Sequence, residues 1–344
     1  MSASNKTLPI AVIGAGLAGL SCAQALLRAG HTVHVFDKSR GPSGRMSTRR
    51  AEDAAGPWQC DHGAQYFTAR DPQFRAEVAR WQQAGVAALW GARLASFDGT
   101  AWTTPATPLE RFVGTPRMTS PAGWLVQSLQ QAGNRALAQW QTTVQRLERH
   151  ADGWAITSAE HGLHAQRYGA VLLAVPAPQA VRLLQPVAAT GAAVAACARM
   201  RGSWAVMVRC PAPVALAWDG AFINIGPLRW VARDSSKPGR TAPAGTETWL
   251  LHASPEWSDA HIEDTADSVT ATLLAAFQAL GGPAPTQVQA TAHRWRYADT
   301  EPALTLGYWW DADAHLGLCG DWISGGKVEG AWLSGQSLAR AVVG

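Results

Sequence analysis

The 344-residue sequence is poor in charge, with 16% charged residues against 47% hydrophobic residues. This composition argues against disorder and provides enough apolar residues for a sizeable core. The net charge is only +4 and no basic run occurs, so we expect neither a nucleic-acid partner nor a membrane partner. At about 150 residues per domain, the length predicts two domains.

Cysteine is also scarce, and its five positions form an odd set without a Cys-x-x-Cys pair or the spacing of a metal site. This pattern predicts a reducing compartment in which the thiols serve as small apolar side chains, and no bound metal. Only residues 8–27 are apolar over the length of a membrane span, and glycines interrupt them. We therefore expect a cytoplasmic protein.

Several catalytic motifs are missing. The chain has no G-x-S-x-G elbow, no P-loop and no H-E-x-x-H pair. It also lacks a second G-x-G-x-x-G motif, so a nicotinamide substrate would not be held by a second Rossmann site. Such a substrate would have to enter a pocket between the two predicted domains.

The N-terminal segment has the pattern of a dinucleotide-binding βαβ unit. Residues 8–13 predict a buried strand, and Gly14-Ala-Gly16-Leu-Ala-Gly19 follows it directly. Helical spacing then continues to Gly30, and a second predicted strand at residues 31–36 ends at an aspartate. That aspartate lies close to the expected distance of about 20 residues from the glycines.

Each residue type in this unit has a physical role. Gly14 permits a tight turn, Gly16 lets the backbone approach a pyrophosphate, and Gly19 lets helix and strand pack closely. The helix N-terminus supplies N–H donors and the positive end of a dipole. Asp37 can accept a hydrogen bond from a ribose hydroxyl. The sequence therefore predicts a bound dinucleotide.

A second block, residues 37–46, favours FAD over NAD. Its sequence is DKSRGPSGRM, in which Gly44 and Arg45 can provide a further backbone approach and a cation for an extended pyrophosphate. NAD-only domains do not usually carry such a block, whereas two-domain flavoproteins of the amine-oxidase type do.

The rest of the chain predicts an interrupted dinucleotide domain. A hairpin is expected at residues 144–157 and a buried strand at 170–175, and strands at 204–208, 222–225, 229–232 and 249–252 are expected to form a second sheet. Residues 234–246 predict an exposed loop because they are rich in Ser, Pro and Gly. The predicted fold class is α/β, a Rossmann-type FAD-binding domain (residues 1–75, 138–180 and 290–344) with an inserted α+β substrate domain (residues 76–137 and 181–289).

Four motifs, in this order, resemble those of the renalase-type flavoproteins. They are DKSRGPSGRMST at 37–48, DHGAQYFT at 61–68, HRWRYA at 293–298, and Gly320-Asp321 followed by EGAWLSG at 329–335. The family has an amine-oxidase-like fold and uses FAD. The resemblance is thinner between about residues 75 and 290.

The resemblance implies a non-covalent FAD site. The residues that it implicates, by the part of FAD that each would contact, are Gly14, Gly16, Leu17, Ala18 and Gly19 at the pyrophosphate, Asp37 and Lys38 at the adenosine ribose, Arg45 at a phosphate, Gln65 and Tyr66 at the flavin, Val144 at adenine, Asp321 at the ribityl or phosphate portion, and Glu329, Gly330 and Ala331 at the isoalloxazine. The predicted set also includes their neighbours Arg40, Gly44, Met46, His62, Gly63, Ala64 and Gly320. Covalent attachment through Cys319 is a less favoured alternative.

Four residues are candidates for a catalytic role. The resemblance places Trp295 and Tyr297 where the chain returns to the flavin, although both could simply be packing residues. His252 ends a strand of the predicted substrate sheet, where it could bond a carboxamide or phosphate of a ligand or could be a satisfied core histidine. Lys327 has no obvious counterpart in the family's animal members, and its charge could stabilise a reduced flavin.

The resemblance also implies a reaction, the oxidation of 2- or 6-dihydro isomers of NAD(P) to NAD(P)⁺. Hydride would pass to flavin N5, and dioxygen would then take the electrons to give hydrogen peroxide. No general base is needed, because the pyridinium product is aromatic and no proton is left over. An amine oxidase, a desaturase or isoprenoid oxidase on the same fold, and a non-catalytic flavin-binding protein stay open as alternatives. With four lysines and four tyrosines the usual accessories of an amine oxidase are scarce.

Overall fold

The computed structural model of the chain describes residues 8–53, 56–105 and 109–344. The chain divides into two compact units. Unit 1 comprises residues 1–44, 122–200 and 300–344, and unit 2 comprises residues 45–121 and 201–299. No helix in the described ranges is both long enough and apolar enough to cross a membrane.

A six-stranded sheet forms the centre of unit 1. In spatial order its strands are Trp309–Asp311, Leu316–Leu318, Ala170–Leu173, Ile10–Ile13, Val33–Phe36 and Ala136–Gln139. All neighbouring strands are parallel except the antiparallel pair at the Trp309–Asp311 edge. The two middle strands, with sequences AVLL and IAVI, are buried at every residue, which explains their continuous apolar runs.

Unit 1 also contains helices. They are Leu17–Arg28, Ser120–Gln130, Ala177–Leu184, Ala189–Ala196 and Lys327–Val343, with 3₁₀ turns at Gly133–Arg135 and Asp321–Ile323. The first and last of these helices pack so closely that a Cβ added at Gly335 would collide with the carbonyl oxygen of Ala18. A separate antiparallel sheet consists of Val144–His150, Gly153–Ser158 and Gly162–Leu163, which confirms the predicted hairpin.

A seven-stranded sheet forms the centre of unit 2. Its strands, in spatial order, are Gln289–Thr300, Met200–Cys210, Glu247–Ala253, Leu228–Arg233, Gly220–Ile223, Leu94–Phe97 and Trp102–Thr103. Two antiparallel strand pairs lie outside it, the hairpin of Thr48–Asp53 with Gly56–Asp61 and the pair of Ala87–Leu89 with Phe112–Gly114. The helices are Pro72–Gln83, Pro255–Ala260 and Ala266–Ala279, with 3₁₀ turns at Asp234–Ser236 and Pro285–Gln287. The four predicted strands of the second sheet are therefore confirmed.

The two faces of this sheet are chemically different. On one face, Trp249 and Leu251 join an apolar core with the helix Ala266–Ala279, which contributes Leu273 and Phe277. On the other face lies a small apolar cluster that includes Cys60, from strand Gly56–Asp61. Because successive side chains of a strand point to opposite faces of the sheet, Leu250 and His252 lie on this second face.

The structure divides the chain at other residues than the sequence predicts. Residues 45–75 belong to unit 2, because their hairpin packs Cys60 onto its sheet. Residues 122–137 belong to unit 1, because strand Ala136–Gln139 extends the parallel sheet beside Val33–Phe36. Residues 181–200 also belong to unit 1, where helix Ala189–Ala196 joins the core, and 290–299 belong to unit 2, in its edge strand.

Candidate functional site

The glycine-rich turn of unit 1 connects strand Ile10–Ile13 to helix Leu17–Arg28. Gly14 has φ of +108°, and a Cβ there would collide with the carbonyl oxygen of Ala174. A Cβ on Gly19 would collide with the Gly14 carbonyl oxygen. Gly16, the N-cap residue of the helix, differs from these two glycines, because a Cβ added there would meet no described atom within 4 Å.

The N-terminus of this helix is open to an anion. No side chain in the described ranges caps it, and its first turn contains no acidic residue. Four N–H groups at a helix start have no partner within the helix, and the dipole there favours negative charge. The open space at Gly16 and the uncapped amides fit the pyrophosphate of a dinucleotide.

Residues 37–44 lie beside this turn. The Asp37 carboxylate accepts hydrogen bonds from the Ala15 and Ser39 amides, each at 2.7 Å, and the Ser43 amide donates to the Ala15 carbonyl at 3.0 Å. A Cβ on Gly44 would lie 3.3 Å from the Gly16 Cα, so the two glycines adjoin. A carboxylate can accept further bonds, so Asp37 can still receive a ribose hydroxyl. Lys38 and Arg40 are exposed.

The C-terminal helix of unit 1 begins at a constrained turn. Gly325, Gly326 and Lys327 have φ of +71°, +77° and +65°, and the Lys327 side chain is exposed. The Gly326 amide donates to the Asp321 carbonyl at 2.8 Å. A Cβ on Gly330 would collide with the Ser324 carbonyl oxygen. The turn therefore fixes where the helix starts.

The remaining predicted cofactor residues of unit 1 are placed as follows. Leu17 and Ala18 are buried in the first helical turn, and Val144 is half-buried at the start of its hairpin. Gly320 is buried and its amide donates to Ser334 Oγ at 2.9 Å. Glu329 and Ala331 are half-buried near the start of the C-terminal helix.

In unit 2, the backbone at Arg45 lies directly against the backbone at Gly63 and Ala64. The Ala64 amide donates to the Arg45 carbonyl at 2.9 Å, and a Cβ on Gly63 would collide with that carbonyl. The Arg45 guanidinium donates to the Ala298 carbonyl at 3.1 Å, and Met46 beside it is buried. Arg45, predicted to neutralise a phosphate, therefore also ties its segment to the edge strand of the sheet.

Three imidazoles, an indole and a guanidinium, those of His62, His252, His293, Trp295 and Arg49, form what we call the imidazole cluster. The His62 carbonyl accepts hydrogen bonds from Trp295 Nε1 at 2.7 Å and from His252 Nε2 at 3.2 Å. The His62 ring stacks on Trp295, with centroids 5.2 Å apart and planes 27° apart. The His293 ring meets His62 edge-on at 4.7 Å, and Arg49 Nη2 lies 3.5 Å from His293 Nδ1. The predicted residues His62, His252 and Trp295 thus come together.

The imidazoles of this cluster are uncharged at neutral pH. Burial lowers the pKa of His252 to about 4, against the opposing effect of its bond to His62. Burial, assisted by the charge of Arg49 and by repulsion from His293 once that ring is protonated, lowers the pKa of His62 to about 3. Because a carbonyl can only accept, His252 Nε2 carries the proton, and Nδ1 presents a free lone pair.

These lowered pKa values predict a pH-dependent stability. The unfolded chain takes up protons at His62 and His252 below about pH 6.5, whereas the native chain takes them up only near pH 3 to 4. The free energy of unfolding should therefore fall as the pH falls from 6.5 to 4. His252→Gln, which keeps a donor for the His62 carbonyl, should reduce this slope by as much as about 1 kcal/mol per pH unit. Urea unfolding at several pH values measures the slope.

At pH 8 neither imidazole is protonated in either state, so the His252→Gln and parent proteins should differ there only by the small change in packing. Identical slopes for the two proteins between pH 6.5 and 4 would contradict the assignment of His252 as a neutral buried group.

An aromatic row crosses the same face of the sheet. The strand registers place Phe222 opposite Trp230, Trp230 opposite His252, and His252 opposite Ala205. Tyr66 packs on Trp230 with centroids 5.6 Å apart. Trp230 is 5% exposed, and its Nε1–H has no hydrogen-bond acceptor among the described residues.

Two further predicted residues can be placed against this row. The Arg111 guanidinium lies 5.2 Å from the centroid of the Tyr66 ring, so Tyr66 is held between a cation and an indole within unit 2. Tyr297 is half-buried on the strand that carries Trp295, two residues further along and therefore on the same face.

A buried ion cluster lies in unit 2, where the sequence predicts an exposed loop. Lys237 Nζ donates to Asp61 at 3.0 Å, to Asp234 at 2.7 Å and to the Gln65 side-chain oxygen at 3.2 Å. Arg240 also bonds Asp61 and donates to the Gly114 carbonyl at 2.8 Å. The four charged side chains are at most 1% exposed. The prediction of an exposed loop at residues 234–246 is therefore wrong for its charged residues.

The pKa values in this cluster follow from burial and from the partners. Burial would lower the pKa of Lys237, but Asp234 and Asp61 outweigh it and raise that pKa. Burial would raise the pKa of Asp61, but Lys237 and Arg240 reverse the effect. Burial and the neighbouring Asp61 raise the pKa of Asp234 to about 6. At neutral pH the cluster therefore carries two positive and two negative charges.

The ion cluster fixes the segment that bears several predicted site residues. Gln65 accepts from Lys237, and its Nε2 donates to the carbonyls of Asp61 and Gly63 at 2.5 and 3.2 Å. His62 and Tyr66 lie on the same short segment. The available sequence signal was the charged residues inside DSSKPGR, but their partner Asp61 is 176 positions from Lys237.

Known proteins resemble parts of this chain. The family model of the NAD(P)-binding Rossmann-like domain matches residues 12–81. The bifunctional tRNA 5-methylaminomethyl-2-thiouridine biosynthesis protein MnmC of Magnetococcus marinus is 29% identical over 214 residues, which cover 51% of this chain and 30% of that protein. The chain thus spans less than a third of the length of that relative.

Solved structures share the whole fold. A protein of Exiguobacterium sp. 255-15, provisionally assigned as a protoporphyrinogen oxidase, superposes with a TM-score of 0.73 at 11% identity, covering 100% of this chain and 99% of that one. Cyclohexylamine oxidase of Brevibacterium oxydans superposes with a TM-score of 0.70 at 13% identity, covering 98% and 99%. Residues 12–81 therefore match the NAD(P)-binding Rossmann-like domain, and the chain shares the mixed α/β fold of these solved structures.

Proposed function

We propose that the chain is an FAD-dependent oxidase of the renalase type. It would oxidise 2- or 6-dihydro isomers of NAD(P) to NAD(P)⁺ and pass the electrons to dioxygen, giving hydrogen peroxide. The observation that carries the choice of substrate is the uncharged imidazole and indole surface of unit 2, where His62 and His252 stay neutral at pH 7. This surface suits a neutral dihydropyridine ring, and the renalase-like motifs supply the chemical class.

The cofactor assignment rests on the glycine turn. The amides at Gly16, Ala18 and Gly19 would hold the pyrophosphate, and Asp37 with Lys38 would hold the ribose. Gln65 and Tyr66, together with the helix start at Glu329–Ala331, would lie against the ring. FAD, when bound, supplies a two-electron acceptor that dioxygen can reoxidise.

In this reaction the chain's own residues only have to bind and orient the substrate. A dihydropyridine that loses a hydride becomes aromatic without losing a proton, so no side chain must titrate near pH 7. The pKa values of about 3 and 4 at His62 and His252 make both poor acids or bases at that pH. They suit groups that bond a neutral ligand.

Amine oxidation is the second candidate, favoured by the structural likeness to cyclohexylamine oxidase. An alkylamine arrives mainly as an ammonium ion and must give up a proton to a base before a hydride can leave its carbon. In the described part of unit 2, Asp61 and Asp234 are already matched by Lys237 and Arg240. The face of the sheet with His252 therefore favours the neutral ring.

Anaerobic mixing distinguishes the candidates. Flavin absorbance of the holoprotein is followed after addition of 2-dihydro-NAD, 6-dihydro-NAD, ordinary NADH or a panel of amines. We expect fast bleaching by at least one isomer, with NADH and amines slower by orders of magnitude. Rapid bleaching by an amine alone would replace this proposal with amine oxidation, and no bleaching by any donor would favour a non-catalytic flavoprotein.

A further inference from the structure

We infer that Lys237 is a positioning residue for the flavin and that it acts through the side-chain amide of Gln65. Arg240, the other cation of the ion cluster, has no such role. The inference rests on the proposed function in one respect, because it takes FAD to lie against residues 63–66. It gives the ion cluster a part in the reaction besides stability, and it assigns that part to a lysine of the segment predicted to be an exposed loop.

The Gln65 side chain has one orientation, and Lys237 defines it. The Lys237 ammonium group can only donate, so the Gln65 atom at 3.2 Å from Nζ is the carbonyl oxygen. The NH2 group then faces the main chain, where it donates to the carbonyls of Asp61 at 2.5 Å and Gly63 at 3.2 Å. Both donors of the amide are thereby used inside unit 2, so the Gln65 side chain holds its own segment and not a ligand.

Side chains thus hold the carbonyl groups of three consecutive residues. The carbonyl of His62 accepts from Trp295 Nε1 at 2.7 Å and from His252 Nε2 at 3.2 Å, and the carbonyls on either side of it accept from Gln65. In a planar trans peptide the N–H points opposite to the C=O. The Gly63 N–H therefore points away from Trp295 and His252.

Two amides of this segment are left for a ligand. The backbone N–H groups of Gly63 and Gln65 have no acceptor among the described residues, whereas the Ala64 amide between them donates to the Arg45 carbonyl at 2.9 Å. Gln65 is only 6% exposed, and backbone N–H groups of buried residues are rarely unpaired in native proteins. The pattern indicates a ligand that accepts hydrogen bonds, as the carbonyl oxygens and ring nitrogens of an isoalloxazine do.

Donors that are held in place in advance stabilise negative charge on such a ring, so they favour its reduced form. Without Lys237 the Gln65 amide can turn, and the carbonyls that it holds are released. Arg240 differs, because it bonds the Asp61 carboxylate and the Gly114 carbonyl and makes no bond to Gln65 in the described cluster. Both cations face the same two carboxylates, so the loss of either removes the same charge.

A redox titration of the holoprotein against a reference dye measures this role without a substrate. In Lys237→Met and in Gln65→Met the ratio of reduced to oxidised flavin at a fixed potential should fall about threefold to tenfold, the size of one weakened hydrogen bond. For a two-electron couple this equals about 14–30 mV. The double variant should fall no further than either single variant, because both changes break the same chain of contacts.

Two controls match the lost charge and the lost amide. Arg240→Met removes an equal buried charge. Gln59→Met removes a buried amide that accepts from Arg117 Nε at 3.0 Å and donates to the Pro116 carbonyl at 3.1 Å. Both controls should leave the ratio unchanged, even where they reduce stability. An equal shift in Arg240→Met, or no shift in Gln65→Met, would overturn the inference.

The outcome stays decidable if Lys237→Met fails to fold. Gln65→Met and its control Gln59→Met keep all four charges of the cluster, and equal ratios in these two proteins would overturn the inference. If the ratios change as expected but no dihydro isomer bleaches the flavin, the inference stands and the proposed substrate fails. If an isomer bleaches the flavin but the ratios do not change, the proposed function survives without this role for Lys237.

Discussion

Gly16→Val is expected to abolish flavin binding while the apoprotein stays folded. The backbone of Gly16 has φ of −71° and ψ of 177°, which valine can adopt, and an added Cβ meets no atom within 4 Å. The branched side chain would occupy the space beside the uncapped helix start, where the pyrophosphate is expected. Flavin absorbance per mole of protein should fall to the background. Thermal or urea unfolding of the apoprotein should change by less than about 1 kcal/mol.

Gly19→Val provides the contrast. Its Cβ would collide with the carbonyl oxygen of Gly14, which is backbone and cannot move aside easily. We expect this variant to lose several kcal/mol of stability, or to be recovered only as insoluble protein. Retention of a normal flavin content by the Gly16→Val protein would show that the cofactor does not lie at this helix start.

Lys237→Met is expected to cause the largest loss of stability among the variants with an ordinary backbone. The substitution removes three buried hydrogen bonds and leaves Asp61 and Asp234 with Arg240 as their only cationic partner in the described cluster. Breaking a buried charge pair by removing one partner costs about 3–5 kcal/mol. Urea unfolding at pH 7 measures the loss. Lys38→Met, at an exposed lysine, should stay within about 0.5 kcal/mol of the parent protein.

Charge balance explains this loss, and two comparisons test that explanation. In Lys237→Met one of the two carboxylates should hold a proton, so its folded pKa lies above its unfolded value, and the variant should become less destabilised as the pH falls. The double variant Asp234→Asn with Lys237→Met leaves one negative charge, on Asp61, paired with one positive charge, on Arg240. It should be more stable than the sum of the single changes predicts. Strict additivity, with no pH effect, would mean that Lys237 contributes only packing.

The dinucleotide unit could be predicted because its signals are local. The two buried strands are apolar runs of four residues, and the glycines at 14 and 19 are required by contacts within the same turn and with the neighbouring strand. The boundaries between the two units could not be predicted with the same accuracy. The hairpin after Arg45 packs onto the sheet of unit 2, as the packing of Cys60 and the bonds of Arg45 to Ala298 and of Asp61 to Lys237 show.

The ion cluster was missed for a related reason. The composition of DSSKPGR favours a solvated turn, and burial of its charges depends on Asp61, which is distant in the sequence. The pairing of Trp230 with His252 likewise comes from strand register, which the sequence pattern does not specify. The strand-end position makes His252 a candidate from the sequence alone, whereas its tautomer is defined by the His62 carbonyl in the folded chain.

The absorbance spectrum of the purified chain, followed by chromatography of the released cofactor, tests the central claim most directly. We predict a yellow protein with flavin bands and, after denaturation, close to one FAD per chain with no FMN. A colourless protein that takes up no added FAD would contradict the proposed cofactor site. The glycine turn, the uncapped helix and residues 37–46 would then not bind FAD.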